Sequence, residues 1–219
     1  MITIMITIVT MIMKSMNNYL KNLNKEIESA IVQEIKKQAE ILKTPIISTE
    51  GINLLIQLIR IGNYGKVLEI GSAIGYSAIM MALNTRCRVT TIEKNEDSFN
   101  LAKQNIARAN LAGRIDLILG DALEVEVKGL YDLIFIDAAK AQYLKFFDRY
   151  KNNLKSGGII VCDNLLFHGM VGNQESVEQK RIKSLVKKID DFNHALIDFV
   201  DFDTYIYEIG DGMSISIKK

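Results

Sequence analysis

Tryptophan is missing from this chain of 219 residues, which holds one proline, two cysteines and two histidines. With only Cys87, Cys162, His168 and His194 as soft donors, a structural zinc site is not expected. Both cysteines sit beside apolar strand-like runs. That placement suits free thiols buried in a protein of the reducing cytoplasm better than a disulfide. Charge of one sign is also scarce: 27 Lys and Arg against 26 Asp and Glu give a net charge of +1. This balance excludes a strongly basic nucleic-acid coat and a disordered acidic tail, and leaves a local basic patch open. No apolar run reaches membrane-spanning length. The opening stretch MITIMITIVTMIMK is too short for a span, and it lacks the basic start and small-residue cleavage site of a signal peptide. Residues 1–15, with methionines recurring at Met5, Met11, Met13 and Met16, are set aside as a mis-assigned or vector-derived leader. Residues 16–219, in a chain 48% hydrophobic, then form one domain with no linker and no second domain.

The periodicities describe an α/β protein. Apolar residues recur at helical spacing from Asn17 to Leu42, and the lone Pro45 closes that stretch. Ser48 or Thr49 with Glu50 opens a second helix over 49–61, with Gly62 where a helix C-cap is expected. Strands are expected at Lys66–Ile70, Arg88–Ile92, Ile115–Leu119, Tyr131–Ile136 and Gly158–Cys162. Helices are expected near 75–83, 96–111, 140–153 and 175–193. Short apolar strands alternating with amphipathic helices indicate a mostly parallel sheet covered on both faces. The runs Ile197–Ile209 and Met213–Ile217, joined by Gly210-Asp211-Gly212, predict a terminal hairpin with an antiparallel last strand, for seven strands in all.

The first strand runs into Glu69-Ile70-Gly71-Ser72-Ala73-Ile74-Gly75-Tyr76-Ser77. Gly71 permits a tight strand-to-helix turn, and Gly75 is expected to let a ligand approach the backbone. Glu93, ending the second strand, can accept both hydroxyls of a ribose. Alone these features indicate a nucleoside cofactor on a Rossmann-like sheet. The Gly-x-x-x-Gly spacing with a carboxylate before it suits the cationic amino-acid end of S-adenosylmethionine better than a pyrophosphate. Asp121 and Ala122, past the third strand, can meet the adenine amino group and its ring face. Beyond the fourth and fifth strands stand Asp137 with Lys140, and Asp163 with Asn164. Two carboxylates and an amide oxygen make a hard oxygen set suited to Mg²⁺, which can acidify and hold an alcohol oxygen. Lys140 is then placed to act as a base or oxyanion partner.

The strings VLEIGSAIGYSA, TIEKN, GDAL, FIDAAKAQY, CDNLLFHGMV and IGDGMSIS resemble the metal-dependent catechol and caffeoyl-CoA type O-methyltransferases over about residues 17–219. Within them the closest likeness is to the bacterial tRNA 5-hydroxyuridine methyltransferases, which form 5-methoxyuridine at wobble position 34. The resemblance implies a class I methyltransferase fold and a homodimer. It also implies that Asp137, Asp163 and Asn164 are metal ligands and Lys140 the catalytic lysine. Glu69, Gly71, Ser77, Glu93, Asp121, Ala122 and Asp137 would line the S-adenosylmethionine site. Where catechol enzymes carry an adenine-flanking tryptophan, this chain has Ala138 and Ala139, so a larger acceptor than a small catechol is expected. The cluster Lys180, Arg181, Lys183, Lys187 and Lys188 could meet the anticodon backbone of tRNA. Phe167 and Tyr143 are candidates for stacking on an extruded base. His168 is expected near the substrate, and His194 is expected to be structural. A small-molecule acceptor and a non-catalytic cofactor- or RNA-binding module are the alternatives.

Overall fold

A computed structural model describes Tyr19, Leu23, Asn24 and residues 29–219. The chain divides into two units, Met1–Ala30 and Ile31–Lys219. The proposed leader lies outside the described residues, as does most of the helix expected over 17–28. Ser29 is not helical, so the run expected from Asn17 to Leu42 is interrupted, and helix α1 spans Ala30–Leu42.

Helix α2 spans Thr49–Ile61, capped by the Ser48 side chain, which accepts from the Gly51 N–H at 3.0 Å. Gly62 ends it as the helix C-cap, as expected. Gly62 is right-handed (φ −76°), and Asn63 takes the left-handed position (φ 49°). Asn63 N–H then bonds Arg60 and Tyr64 N–H bonds Ile59, a Schellman closure. Helix α4, Glu96–Arg108, ends the same way at left-handed Asn110, short of the expected residue 111.

Seven strands form one sheet: β1 Lys66–Ile70, β2 Arg88–Glu93, β3 Ile115–Leu119, β4 Tyr131–Ile136, β5 Leu154–Cys162, β6 Phe202–Tyr207 and β7 Met213–Lys218. Their order is β3-β2-β1-β4-β5-β7-β6, with β7 antiparallel to both neighbours and the other six strands parallel. Helix α3 covers Tyr76–Asn84. The helix expected over 140–153 is split into a 3₁₀ turn Lys140–Gln142, helix α5 Tyr143–Tyr150 and a second 3₁₀ turn Lys151–Asn153. Strand β5 begins four residues earlier than expected, through an irregularity opposite Tyr131 and Leu133. Helix α6, Lys180–Asp198, starts and ends about five residues late relative to the expected 175–193, which shortens β6 to six residues.

One face of the sheet is sealed by an aromatic cluster. Phe147 stacks on Phe199 at 4.8 Å and meets Phe202 and Phe192 edge-on, while Tyr143 packs against Phe192 at 5.5 Å. Cys87 and Cys162 are free and buried, as expected. Among the described residues no helix is long and apolar enough to cross a membrane.

Candidate active site

The order reverses between β1 and β4, so a crevice opens at the carboxyl ends of the parallel strands. At its floor Gly71 is left-handed (φ 94°), and a Cβ there would lie 2.2 Å from the Asp137 carbonyl oxygen. The loops after β1 and β4 therefore touch backbone to backbone, which only glycine allows. Gly75 has a different role from the one expected. It lines neither cavity described below, and a Cβ on it would press on Ala102 of α4 at 3.3 Å.

A cavity of about 150 Å³ is lined by Gly71, Ala73, Glu93, Asp121, Ala122 and Asp137. Glu93 spans its wall, accepting from Ala73 N–H and Asn95 N–H, both at 2.8 Å. Asp121 accepts from Leu123 N–H at 2.8 Å. Two further lining residues, Gln142 and Phe146, escaped the sequence reading. Phe146 follows the apolar rhythm of α5 and reads as core. Gln142, whose Oε1 is buried without a partner, lies in a 3₁₀ turn with no periodic signal.

Glu69 lies beneath this floor and lines neither cavity. Its Oε2 accepts from the Thr91 hydroxyl at 2.6 Å, and Oε1 has no hydrogen-bond partner. Complete burial pushes its carboxyl up to about 7, against the easing effect of the Ser77 and Thr91 hydroxyls. Ser77 is the residue of this pair that reaches a cavity.

A second cavity of about 310 Å³ gathers Asp137, Lys140, Asp163, Asn164 and Ser77 with Asp211. Asn164 Nδ2 donates to Asp137 Oδ1 at 2.9 Å, and Asn164 N–H donates to Asp163 Oδ1 at 2.6 Å. Burial raises the Asp137 carboxyl above its ordinary range, with the Lys140 charge and the Asn164 amide working the other way. Burial and the Asp137 charge push Asp163 up to about 7. Two crowded carboxylates that resist ionising are what a cation would relieve. Among the described residues no three His, Cys, Asp or Glu side chains group as a metal site. The set here is two carboxylates and an amide. The donor types fit a hard divalent ion, provided Asn164 turns its amide over to offer Oδ1.

The segment after Asp163 is held tightly. Asn164, Phe167 and His168 are all left-handed, with φ of 64°, 45° and 57°. The β6–β7 turn pins them: Leu165 N–H bonds Gly212 O, Leu166 N–H bonds Asp211 O, and His168 N–H bonds Asp211 Oδ1 at 2.5 Å. Asp211, read from the sequence only as a turn residue, also lines the cavity, and its buried Oδ2 accepts no hydrogen bond but lies 3.7 Å from His168 Nδ1. Tyr143 is core rather than a stacking surface, and its hydroxyl donates to the Asp163 carbonyl at 2.9 Å. The His168 side chain is 74% exposed. His194 is not structural in the sense expected, since its side chain is 81% exposed.

Beside Lys140 a groove of about 840 Å³ runs along α6. Arg181 and Lys188 line it, whereas Lys180 and Lys183 do not. At helical spacing Lys180, Lys183 and Lys187 share one face and Arg181, Ser184 and Lys188 another. The expected substrate trio of Lys180, Arg181 and Lys183 is thus divided between two faces.

Residues 15–219 match the sequence profile of a family described as O-methyltransferase. The chain is 28% identical to a catechol O-methyltransferase of Niastella koreensis, covering 95% of this chain and 98% of the relative. It is 30% identical to caffeoyl-CoA O-methyltransferase 3 of Nicotiana tabacum over 74% of this chain and 71% of that one. A Staphylococcus aureus protein provisionally named as a caffeoyl-CoA O-methyltransferase superposes with a TM-score of 0.87 at 40% identity, covering 92% and 98% of the two chains. A Bacillus cereus O-methyltransferase solved with S-adenosylhomocysteine gives 0.80 at 25% identity, covering 94% and 97%.

Proposed function

Since this chain belongs to the S-adenosylmethionine-dependent O-methyltransferases, we propose that a divalent cation such as Mg²⁺ activates its acceptor, and that the acceptor is 5-hydroxyuridine at tRNA wobble position 34. Membership in a family of enzymes sets aside the binding-only alternative. The carrying observation is the convergence of Asp137, Asp163 and Asn164 with Lys140 at the mouth of the cofactor cavity.

Bound S-adenosylmethionine supplies a methyl group on a positive sulfur. A bound dication would be held by Asp137, Asp163 and Asn164, and would make the acceptor hydroxyl more acidic. In the transfer the acceptor oxygen forms a bond to the methyl carbon as the sulfur–carbon bond breaks. The sulfur keeps that electron pair and leaves as neutral S-adenosylhomocysteine. Lys140 faces the same cavity and takes the hydroxyl proton or steadies the oxyanion. Glu93 holds the ribose, while Asp121 and Phe146 bound the adenine end.

Two things support the tRNA acceptor: the likeness of FIDAAKAQY and DNLLFHGMV to the tRNA branch, and the open groove beside Lys140. An enolic hydroxyl beside a carbonyl can chelate a dication as a catechol does. The second reading, a small phenolic acceptor, is favoured by the names of the catechol and caffeoyl-CoA relatives. Purified enzyme offered hydroxyuridine-containing tRNA, unmodified tRNA, catechol and caffeoyl-CoA distinguishes them. Methylation confined to the hydroxylated tRNA and lost in excess chelator is expected. Efficient turnover of a phenol with none of the tRNA would overturn the acceptor, and full activity in chelator would overturn the metal.

A further inference from the structure

The groove along α6 is unlike the other cavities in its charge. Lys140, Arg181 and Lys188 line it, and no Asp or Glu does. Among the described residues Arg181 and Lys188 have no hydrogen-bond or ion-pair partner, whereas Lys187 on the neighbouring face is paired with Asp191 at 2.9 Å. Ser184 lies between Arg181 and Lys188 on their face and Gln179 stands in the lining, while Ala139, Ile182 and Leu185 give the groove an apolar strip. Unneutralised cations around an apolar strip fit a ligand that alternates anions with flat rings. That is the make-up of a single-stranded nucleotide run, whose phosphates seek cations and whose bases seek apolar faces. A volume of about 840 Å³ is within the range of sites for ligands of nucleotide size and above. The groove also shares Ala138 and Lys140 with the proposed reaction cavity, so a ligand in it adjoins the acceptor residue.

We infer that this groove holds the nucleotide next to the methylated one, with its phosphates on Arg181 and Lys188 and its base on the Ile182–Leu185 strip. The inference rests on the tRNA reading and sharpens it, because it assigns recognition to one face of α6 and excludes the face carrying Lys180 and Lys183.

The test compares Arg181→Gln with Lys188→Gln as a pair against Lys180→Gln with Lys183→Gln, which removes the same charge from the other face. Binding of an anticodon stem-loop containing hydroxyuridine is measured across a salt series. Calorimetric S-adenosylmethionine affinity checks that each variant is intact. Each phosphate contact on a single strand adds about 0.7 to the salt slope, so two contacts make wild type lose about sevenfold more affinity than the groove pair between about 50 and 200 mM salt. The groove pair should raise KM for tRNA while leaving turnover of free 5-hydroxyuridine nucleoside unchanged, and the control pair should behave as wild type. Equal effects from the two pairs, or none from the groove pair in an enzyme that methylates tRNA, would overturn the groove assignment alone. A wild type that turns over no tRNA would overturn the acceptor reading, and this inference with it.

Discussion

Glu69 is a carboxylate with nowhere to put its charge. It is fully buried, one oxygen has no partner, and its folded-state pKa is raised from 4.5 to about 7. Between those values the folded chain holds a proton that the unfolded chain has released. Stability therefore falls as pH rises from about 4.5 to 7, and the loss is constant above that. The shift corresponds to about 3 kcal/mol at most. Glu69→Gln keeps an acceptor for Thr91 and removes the charge, so the cofactor-free variant should outlast wild type in denaturant at pH 8 and match it near pH 5. Asp163 shares the same pH window, so the fall should be reduced rather than abolished. Urea titrations at the two pH values decide; a variant less stable at pH 8 would mean the ionised carboxyl is structurally required.

At the scale of elements, the strongest coupling is between the β6–β7 turn and the loop that follows β5. Three bonds accepted by Asp211 and Gly212 hold a segment with three left-handed non-glycine residues. Such conformations persist only where the surroundings over-determine them. Gly212 adds a steric lock, since a Cβ there would lie 2.5 Å from Leu166. Asp211→Ala should let the loop relax and carry Asn164 with it. Turnover should fall by about tenfold to a hundredfold, since misplacements of an ångström cost that much. S-adenosylmethionine affinity should stay within about twofold, since the proposed cofactor cavity is lined from the segments after β1, β2, β3 and β4 and not by the β6–β7 turn. Kinetics with parallel cofactor titration would check this; equal losses of both would show that the turn supports the whole crevice.

At the scale of the molecule, the family match begins at residue 15 and the unit Ile31–Lys219 carries every site residue described. A chain shortened to begin at Met16 should keep its turnover and melt within about 2 °C of the full chain, a change below ~1 kcal/mol for this size. Thermal melts and steady-state rates of the two chains decide. A larger drop would assign residues 1–15 a structural role.

Strands β1, β3 and β4 were legible to the residue because buried parallel strands are short apolar runs between turn signals. The position of the candidate site residues was legible too, because Glu93 ends a strand and Asp121, Asp137 and Asp163 stand just past one, where a parallel sheet makes its crevice. What the sequence could not decide were relations without a local period. Gln142 sits in a 3₁₀ turn, Asp211 acts from a hairpin 43 residues beyond His168, and which of the two basic faces of α6 meets Lys140 is set only by the helix's packing. Local sequence carries strand ends and turns because neighbouring residues produce them. Which distant groups meet depends on how the elements pack, and that is decided in the folded chain.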